Sequence, residues 1–174
     1  MIIETQRLIL REYRQADFDG LRAIICDVET MKYYPKPYDE KGVQRWLDWC
    51  IDSYSKNGFG LFAIELKETG EFIGDCGISL QNIDGEELPE IGYHINKNHW
   101  RKGYAKEACE AVKEWLFDNT EYNVVYSYMN AENEPSRRTA EANGMTFVKE
   151  YNDGIEHLCV YAITREEFDL MRKK

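Results

Sequence analysis

The chain of 174 residues has few of the features that would take it out of the class of ordinary globular proteins. No apolar run approaches the about 20 residues needed to cross a bilayer. The first residues, 1–7, lack the basic segment and apolar stretch of a secretory signal. We therefore predict a cytoplasmic protein with no membrane partner.

Cysteine is sparse and scattered. The five cysteines form no C-x-x-C pair, and their spacing matches neither a disulfide framework nor a zinc site. Thiols distributed in this way are typical of buried side chains in a reducing compartment. The sequence therefore predicts free thiols and no metal site.

Basic residues are too few for a general nucleic-acid-binding protein. The formal net charge is −10, whereas a nucleic-acid-binding domain presents a basic face. An acidic field would attract a cationic small molecule or a basic peptide, but it also keeps many proteins soluble, so charge alone selects no substrate. The length and the hydrophobic content of 43% fit one domain, residues 1–174.

The hydrophobic periodicity predicts alternating strands and amphipathic helices in the order β-α-α-β-β-β-α-β-α-β-β. Strands two to four form an antiparallel meander, and a right-handed β-α-β crossover follows. Predicted strands cover about 7–13, 61–66, 72–80, 90–95, 123–129, 145–148 and 157–163. Predicted helices begin near Asp17 and Asp39 and cover 105–117 and 134–143, and residues 164–174 form a polar tail.

The turn inside the crossover has the properties of an anion site. It joins the predicted strand 90–95 to the helix that begins near Ala105, and free amides at a helix N-terminus attract anions. Gly103 lets a phosphate approach the backbone, and Arg101 and Lys102 add positive charge. The turn matches neither a P-loop nor a G-x-G-x-x-G fingerprint. An ordinary basic helix start that binds nothing is the alternative.

Three segments resemble one family. W-x-x-G-Y-A, from Trp100 to Ala105, resembles motif A of the GNAT N-acetyltransferases. N-x-x-S at 133–136 followed by G-M-T-F at 144–147, and T-x-R-L-x-L-R at 5–11, resemble the branch that acetylates the N-termini of ribosomal proteins (RimJ/RimL-like). The resemblance covers nearly the whole chain. It implies an α+β GNAT fold, with a mixed, mostly antiparallel sheet of about seven strands and helices on both faces.

The resemblance also implies acetyl-CoA as co-substrate, with no metal. The backbone of His94 and Ile95 would pair with the pantetheine arm as an added strand does. Asn133 would hydrogen-bond the cofactor and Ser136 would lie near the thioester sulfur, although both residues also fit a plain helix cap. The turn amides that would hold the pyrophosphate are those of Arg101, Lys102, Gly103, Tyr104 and Ala105.

Acetyl transfer to an amine requires a neutral amine and a stabilised leaving thiolate. Glu90, which opens the cofactor strand, is the predicted base, ahead of His94 and His99. Ser136 is the predicted acid or thiolate stabiliser. Many GNAT enzymes place a tyrosine four residues before the glycine of the second motif, where this chain has Ala140.

We therefore predict an N-acetyltransferase that moves an acetyl group from acetyl-CoA to a primary amine, by direct attack in a ternary complex. The preferred acceptor is the N-terminus of a protein or peptide. Tyr33, Tyr34 and Tyr38, in a loop with two prolines, would form an aromatic wall for it. Two alternatives stay open: a small cationic amine such as a polyamine or aminoglycoside, and a non-catalytic acyl-CoA-binding domain. The oligomeric state, monomer or homodimer, is also open.

Overall fold

A mixed sheet of eight strands carries helices on both faces in the computed structural model, which describes residues 2–173. The strand order is β1-β2-β3-β4-β5-β6-β8-β7, and β5–β6 is the parallel pair. The predicted α+β architecture is confirmed, with β1 added to the predicted strands. The strands are β1 Ile2–Glu4, β2 Leu8–Arg11, β3 Leu61–Leu66, β4 Phe72–Ile83, β5 Glu86–Ile95, β6 Val124–Asn130, β7 Thr146–Asn152 and β8 His157–Thr164.

The helices divide the core into two parts. On one face, Val43 and Leu47 of α2 pack in a cluster with Ala63 of β3. On the other, the small Ala108 of α3 lies in a cluster with Ile91 of β5, which lets this helix approach the sheet closely. The helices are α1 Phe18–Ile25, α2 Glu40–Asn57, α3 Tyr104–Asn119, α4 Glu134–Ala142 and α5 Arg165–Arg172.

Helix boundaries follow local side-chain chemistry. Asp39 caps α2 by accepting from the Gly42 amide at 2.7 Å, and Gly58 ends this helix in the left-handed conformation at φ 75°. Asp17 precedes α1 as predicted, but its carboxylate does not cap the helix. It binds the Arg11 guanidinium at 2.7 Å and the Arg14 amide at 2.7 Å instead, because a half-buried guanidinium is the stronger partner.

The predicted polar tail is wrong, since residues 165–172 form α5. Thr164 and Glu167 form a capping box at its start. Phe168 is buried against Phe117 of α3, with 5.1 Å between the ring centroids. One buried aromatic ring in a charged segment gives too weak a periodicity to reveal the helix.

The two parallel strands separate soon after they meet. The register of β5 and β6 pairs Glu90 with Tyr126, and the Ser127 hydroxyl donates to the Ile91 carbonyl at 3.3 Å. The later part of β5 keeps its full antiparallel pairing with β4. A cleft therefore opens between β5 and β6 at their carboxyl ends, where open α/β sheets bind ligands.

Candidate active site

Two connected cavities occupy this cleft. The central cavity, of about 280 Å³, reaches from Glu90 to the tyrosine loop. The turn cleft, of about 560 Å³, runs along the turn before α3. Six residues line both cavities and define what we call the junction: Tyr33, Tyr34, Tyr93, His94, Asn133 and Ser136.

The turn before α3 has the backbone of an anion cradle. Arg101 has φ 61° and Gly103 has φ 82°, so two left-handed residues bend the chain just before the helix. Alternating conformations of this kind direct successive amides to one side. No side chain within residues 2–173 caps the first turn of α3. Arg101, Gly103, Tyr104 and Ala105 line the turn cleft, whereas Lys102 is not among its lining residues.

Arg7 ties the N-terminal motif to this turn. Its Nε atom lies 2.6 Å from Glu107 Oε2, and another guanidinium nitrogen donates to the Lys102 carbonyl at 2.9 Å. The guanidinium also lies 4.5 Å from the centroid of the Tyr104 ring. The Thr5 hydroxyl donates to the same Glu107 carboxylate at 2.6 Å. These contacts, between residues about a hundred positions apart, hold the turn in place from outside.

Glu90 is a buried carboxyl group in the central cavity. It is 7% exposed, and Ser79 on β4 donates to its Oε2 at 3.3 Å. Burial, with a smaller contribution from the charge of Asp75, raises the pKa of Glu90 to about 8. A Cβ atom at Gly92 would lie 2.9 Å from Oε2, so the carboxyl group leans over this glycine. Glu90 therefore changes its charge close to neutral pH.

His94 lies on the same face of β5 and is fixed by a carboxylate that the sequence did not indicate. Its Nδ1 atom lies 2.9 Å from Asp75 Oδ1 on β4, and Tyr13 donates to Asp75 Oδ2 at 2.9 Å. The rings of Tyr34 and Trp46 lie 5.5 and 5.6 Å from the His94 ring, centroid to centroid. The pairing of β4 with β5 could have indicated Asp75, which stands opposite His94.

The backbone of His94 faces β4 and not the cleft, which disfavours it as a partner of the predicted pantetheine arm. Its amide donates to Asp75 Oδ1 at 2.9 Å, and its carbonyl faces Gly74 on β4. Successive residues of a strand direct their backbone groups to opposite sides. Tyr93 and Ile95 therefore direct theirs to the cleft, and the Ile95 carbonyl accepts from the Trp100 indole at 2.7 Å.

Ser136 and Asn133 meet β5 at the junction. Asn133 caps α4 by accepting from the Ser136 amide at 3.3 Å. The Tyr93 hydroxyl donates to Ser136 Oγ at 3.1 Å, and burial raises the pKa of Tyr93. Ala140 is buried. The hydroxyl group beside Ser136 is therefore supplied by Tyr93 of β5. At position 140 of α4, where many GNAT enzymes carry tyrosine, this chain has alanine.

The remaining predicted residues divide between the two cavities. Tyr33, Tyr34 and Tyr38 line the central cavity. His99 lines the turn cleft, where its Nε2 atom lies 3.0 Å from Glu71 Oε1. It lies outside the lining of the central cavity, which holds Glu90, and this position disfavours His99 as the base.

Within residues 2–173, no group of three or more His, Cys, Asp or Glu side chains could hold a metal ion. None of the helices in this range has the length and apolar character needed to cross a membrane.

Comparison with known proteins identifies the family. The family model described as "Acetyltransferase (GNAT) domain" matches residues 7–146, and the chain belongs to the GNAT acetyltransferase family. The members of this family are acyl-CoA-dependent N-acetyltransferases, as the motifs predict.

Relatives resemble the chain over most of its length. YkkB of Bacillus subtilis, an uncharacterized protein, is 32% identical over 90% of this chain and 92% of its own. The uncharacterized N-acetyltransferase p20 of Bacillus licheniformis is 35% identical over 84% of this chain and 82% of its own. A solved acetyltransferase from Agrobacterium tumefaciens superposes with a TM-score of 0.82 at 28% identity, covering 94% of each chain.

Proposed function

We propose that this enzyme transfers the acetyl group of acetyl-CoA to the N-terminal amine of a protein or peptide, as RimJ/RimL-like enzymes do. The observation that carries the proposal is the junction, where a cleft beside the free amides of a helix start opens into a cavity that holds a buried carboxyl group. A phosphorylated donor and an amine acceptor can meet there from opposite sides.

The donor would lie in the turn cleft. Free first-turn amides of α3, Arg101 and the bare Gly103 suit a pyrophosphate, and the cleft-facing groups of Tyr93 and Ile95 suit the amides of a pantetheine arm. Two solved structures with this fold are described as complexes with coenzyme A. They are RimL, a ribosomal L7/L12 alpha-N-protein acetyltransferase (TM-score 0.77, 15% identity), and the aminoglycoside acetyltransferase AAC(6')-Ib (TM-score 0.80, 17% identity).

The acceptor would lie in the central cavity. An α-amine has a pKa of about 8, close to that of Glu90, so proton transfer between the two is nearly balanced. Glu90 would take the first proton from the ammonium form of the acceptor. The tyrosines of the loop and the amide side chains of Gln81 and Asn130 would contact the residues that follow a peptide N-terminus.

The second candidate acceptor is a small polyamine or aminoglycoside. The observation in its favour is acidity, since the net charge is −10 and Glu156 joins Glu90 in the lining of the central cavity. A domain that binds acyl-CoA without catalysis is disfavoured, because such a domain has no use for the buried carboxyl of Glu90 or for the hydroxyl pair of Tyr93 and Ser136.

The test is calorimetric titration with acetyl-CoA, followed by thiol release over a panel of amines. The panel contains peptides with free N-termini, the same peptides with acetylated N-termini, spermidine and an aminoglycoside. We expect acetyl-CoA to bind and thiol release to require the free N-terminus. Release with the small amines alone would favour the second candidate, and binding without release from any amine would contradict the proposal.

Removal of the Ser136 hydroxyl is expected to slow the transfer. Ser136 accepts from Tyr93 and can therefore direct its own hydrogen to the departing sulfur. Ser136→Ala should lower kcat about 10- to 100-fold, and Tyr93→Phe somewhat less, while acetyl-CoA affinity stays within about threefold. Thiol-release kinetics and calorimetry measure the two quantities.

The matched control for this pair is Ser53→Ala. Ser53 is a buried serine that donates to the Phe59 carbonyl at 2.7 Å and lies outside the lining of both cavities. Its loss should change stability and leave kcat unaltered. Unchanged kcat in both Ser136→Ala and Tyr93→Phe would remove the thiolate role.

A further inference from the structure

The side chain of His94 has one ring nitrogen without a hydrogen-bond partner. Nε2 is buried, and nothing in the described part of the chain bonds to it, although the residue is only 8% exposed. An unsatisfied buried polar atom costs about 1–3 kcal/mol, so a folded protein retains one where it has a use. His94 lines both cavities, so the ring that carries this unpaired nitrogen borders the junction.

Asp75 determines what Nε2 can do. Its Oδ1 atom lies 2.9 Å from both the backbone nitrogen and the ring Nδ1 of His94, and Tyr13 donates to its Oδ2. Asp75 is completely buried among these donors. Because a carboxylate only accepts hydrogen bonds, Asp75 favours the tautomer with the ring proton on Nδ1, which leaves a lone pair on Nε2.

A second orphaned atom lies in the same region. Trp46 Nε1, a hydrogen-bond donor, is also buried without a partner among residues 2–173, and the Trp46 ring meets the His94 ring edge-on. Both residues line the central cavity. A donor and an acceptor that both lack partners suit a ligand with an N–H group and a carbonyl oxygen, as the first residue of a peptide has.

Glu90 and His94 occupy different places along the strand. They lie four residues apart on one face of β5, about 13 Å along the strand, with the bare Gly92 between them. Glu90 lines the central cavity, and it is not among the junction residues, whereas His94 and Ser136 are. Because donor and acceptor are proposed to meet at the junction, the acyl carbon would lie nearer to His94 and Ser136 than to Glu90.

The proton balance of the reaction calls for two acceptors. An acceptor that arrives as an ammonium ion must lose two protons to become an amide, one before its nitrogen attacks and one after the new carbon–nitrogen bond forms. Glu90 can take the first from the central cavity. The second is released at the acyl carbon, where the carbon–sulfur bond breaks and the thiolate leaves.

We propose that His94 Nε2 accepts this second proton, and that Asp75 is the positioning residue that keeps Nε2 free to do so. The nitrogen–carbon bond forms, the carbon–sulfur bond breaks, and the nitrogen's proton passes to Nε2. The thiolate takes a proton from the Ser136 hydroxyl, and Ser136 regains one from the Tyr93 hydroxyl. Solvent then returns a proton to Tyr93, and His94 releases its own proton to solvent. The proposal rests on the proposed function and gives the His94 side chain a role beside that of Glu90, with Asp75 behind it.

Titratable groups face His94 from several elements of the fold. Asp75 faces the ring from β4 with Tyr13 behind it, Tyr34 faces it from the loop, and Glu90 shares its strand. Helix α2 contributes the uncharged Trp46 ring.

The test compares kcat, its pH profile and acetyl-CoA affinity in His94→Gln and Asp75→Asn. His94→Gln keeps a polar atom near Nε2 that cannot take a proton. We expect kcat to fall about 10²- to 10⁴-fold and the acidic limb of its pH profile to change, with acetyl-CoA affinity within about threefold. In Asp75→Asn, the new amide group can donate to Nδ1 and thereby favour the tautomer with the ring proton on Nε2. This variant should therefore also lower kcat and alter the pH profile.

The control is His157→Gln, since His157 also pairs with a carboxylate, Glu150, but lies outside both cavities. If wild-type protein releases no thiol with any amine, the proposed function fails. If wild-type protein releases thiol and His94→Gln keeps the wild-type kcat and pH profile, this inference alone is wrong. Should the variants not fold, nitrogen NMR of wild-type imidazoles decides, because a neutral His94 with its proton on Nε2 would overturn the assignment.

Discussion

Replacement of Gly103 by glutamate is expected to abolish acetyl-CoA binding. Gly103 precedes α3 at φ 82°, where the proposed site places a pyrophosphate. Two like charges about 4 Å apart repel by about 4 kcal/mol at an effective dielectric constant of about 20. A penalty of this size weakens binding about a thousandfold, which calorimetry would register as no measurable binding.

The variant also places a side chain in the left-handed region, which costs about 1–2 kcal/mol of stability. Gly58→Glu is the matched control. Gly58 has φ 75°, a Cβ there would meet no atom within 4 Å, and the residue lies at the end of α2, outside both cavities. This control should lose similar stability and keep its affinity. Tight binding of acetyl-CoA by a folded Gly103→Glu variant would contradict the whole cofactor site.

Glu90→Gln is expected to make the enzyme slower and the fold more stable. Loss of a general base lowers kcat/KM about 10²- to 10⁴-fold. In the wild-type enzyme the base must be ionised, so activity should rise with pH through about 8, the pKa of Glu90. The amide has no such ionisation, so any rise that remains in the variant comes from the acceptor amine, whose own pKa is about 8. Rates of thiol release from pH 6 to 9 would measure it.

The stability effect has a definite sign. Burial raises the pKa of Glu90 from 4.5 to about 8, so between these pH values the folded protein holds a proton that the unfolded chain has released. The contribution of this group to stability is complete below pH 4.5 and is lost as the pH rises through about 8. The amide avoids the loss, and the variant should gain about 2–4 kcal/mol relative to wild type near pH 8.

Thermal melts at pH 5 and pH 8 measure this gain. Glu87→Gln, at an exposed position on the same strand, is the control and should leave both melting temperatures nearly unchanged. If Glu90→Gln keeps full activity at every pH, Glu90 is not the base. If it gains no stability at pH 8, the carboxyl group is better solvated than its burial implies.

Local chemistry made much of this structure predictable. The turn before α3, the Asn133 cap and the boundaries of α2 depend on residues within a few positions of one another, and those predictions hold. Periodicity and capping rules act over such short distances, so the sequence alone was sufficient.

The missed features depend on residues far apart in the chain. Arg7 reaches Glu107 only because β2 and α3 are neighbours in the fold, and Asp75 meets His94 only because β4 and β5 pair in one particular register. The same register decided that the His94 backbone faces β4. A shift of one residue in the pairing of β4 with β5 would have turned the His94 backbone toward the cleft. No feature of the His94 segment alone selects between these two registers.

The single register pair between β5 and β6 has a mechanical consequence. It divides the sheet into two leaves, β1 to β5 and β6 to β8, that meet at Glu90 and Tyr126. A coenzyme bound there as proposed would lie beyond the last bonds between β5 and β6, where no ladder spans the gap. A ligand can therefore reach the interior of the sheet while β5 keeps its ladder with β4 and β6 keeps its ladder with β8, and its entry displaces no strand.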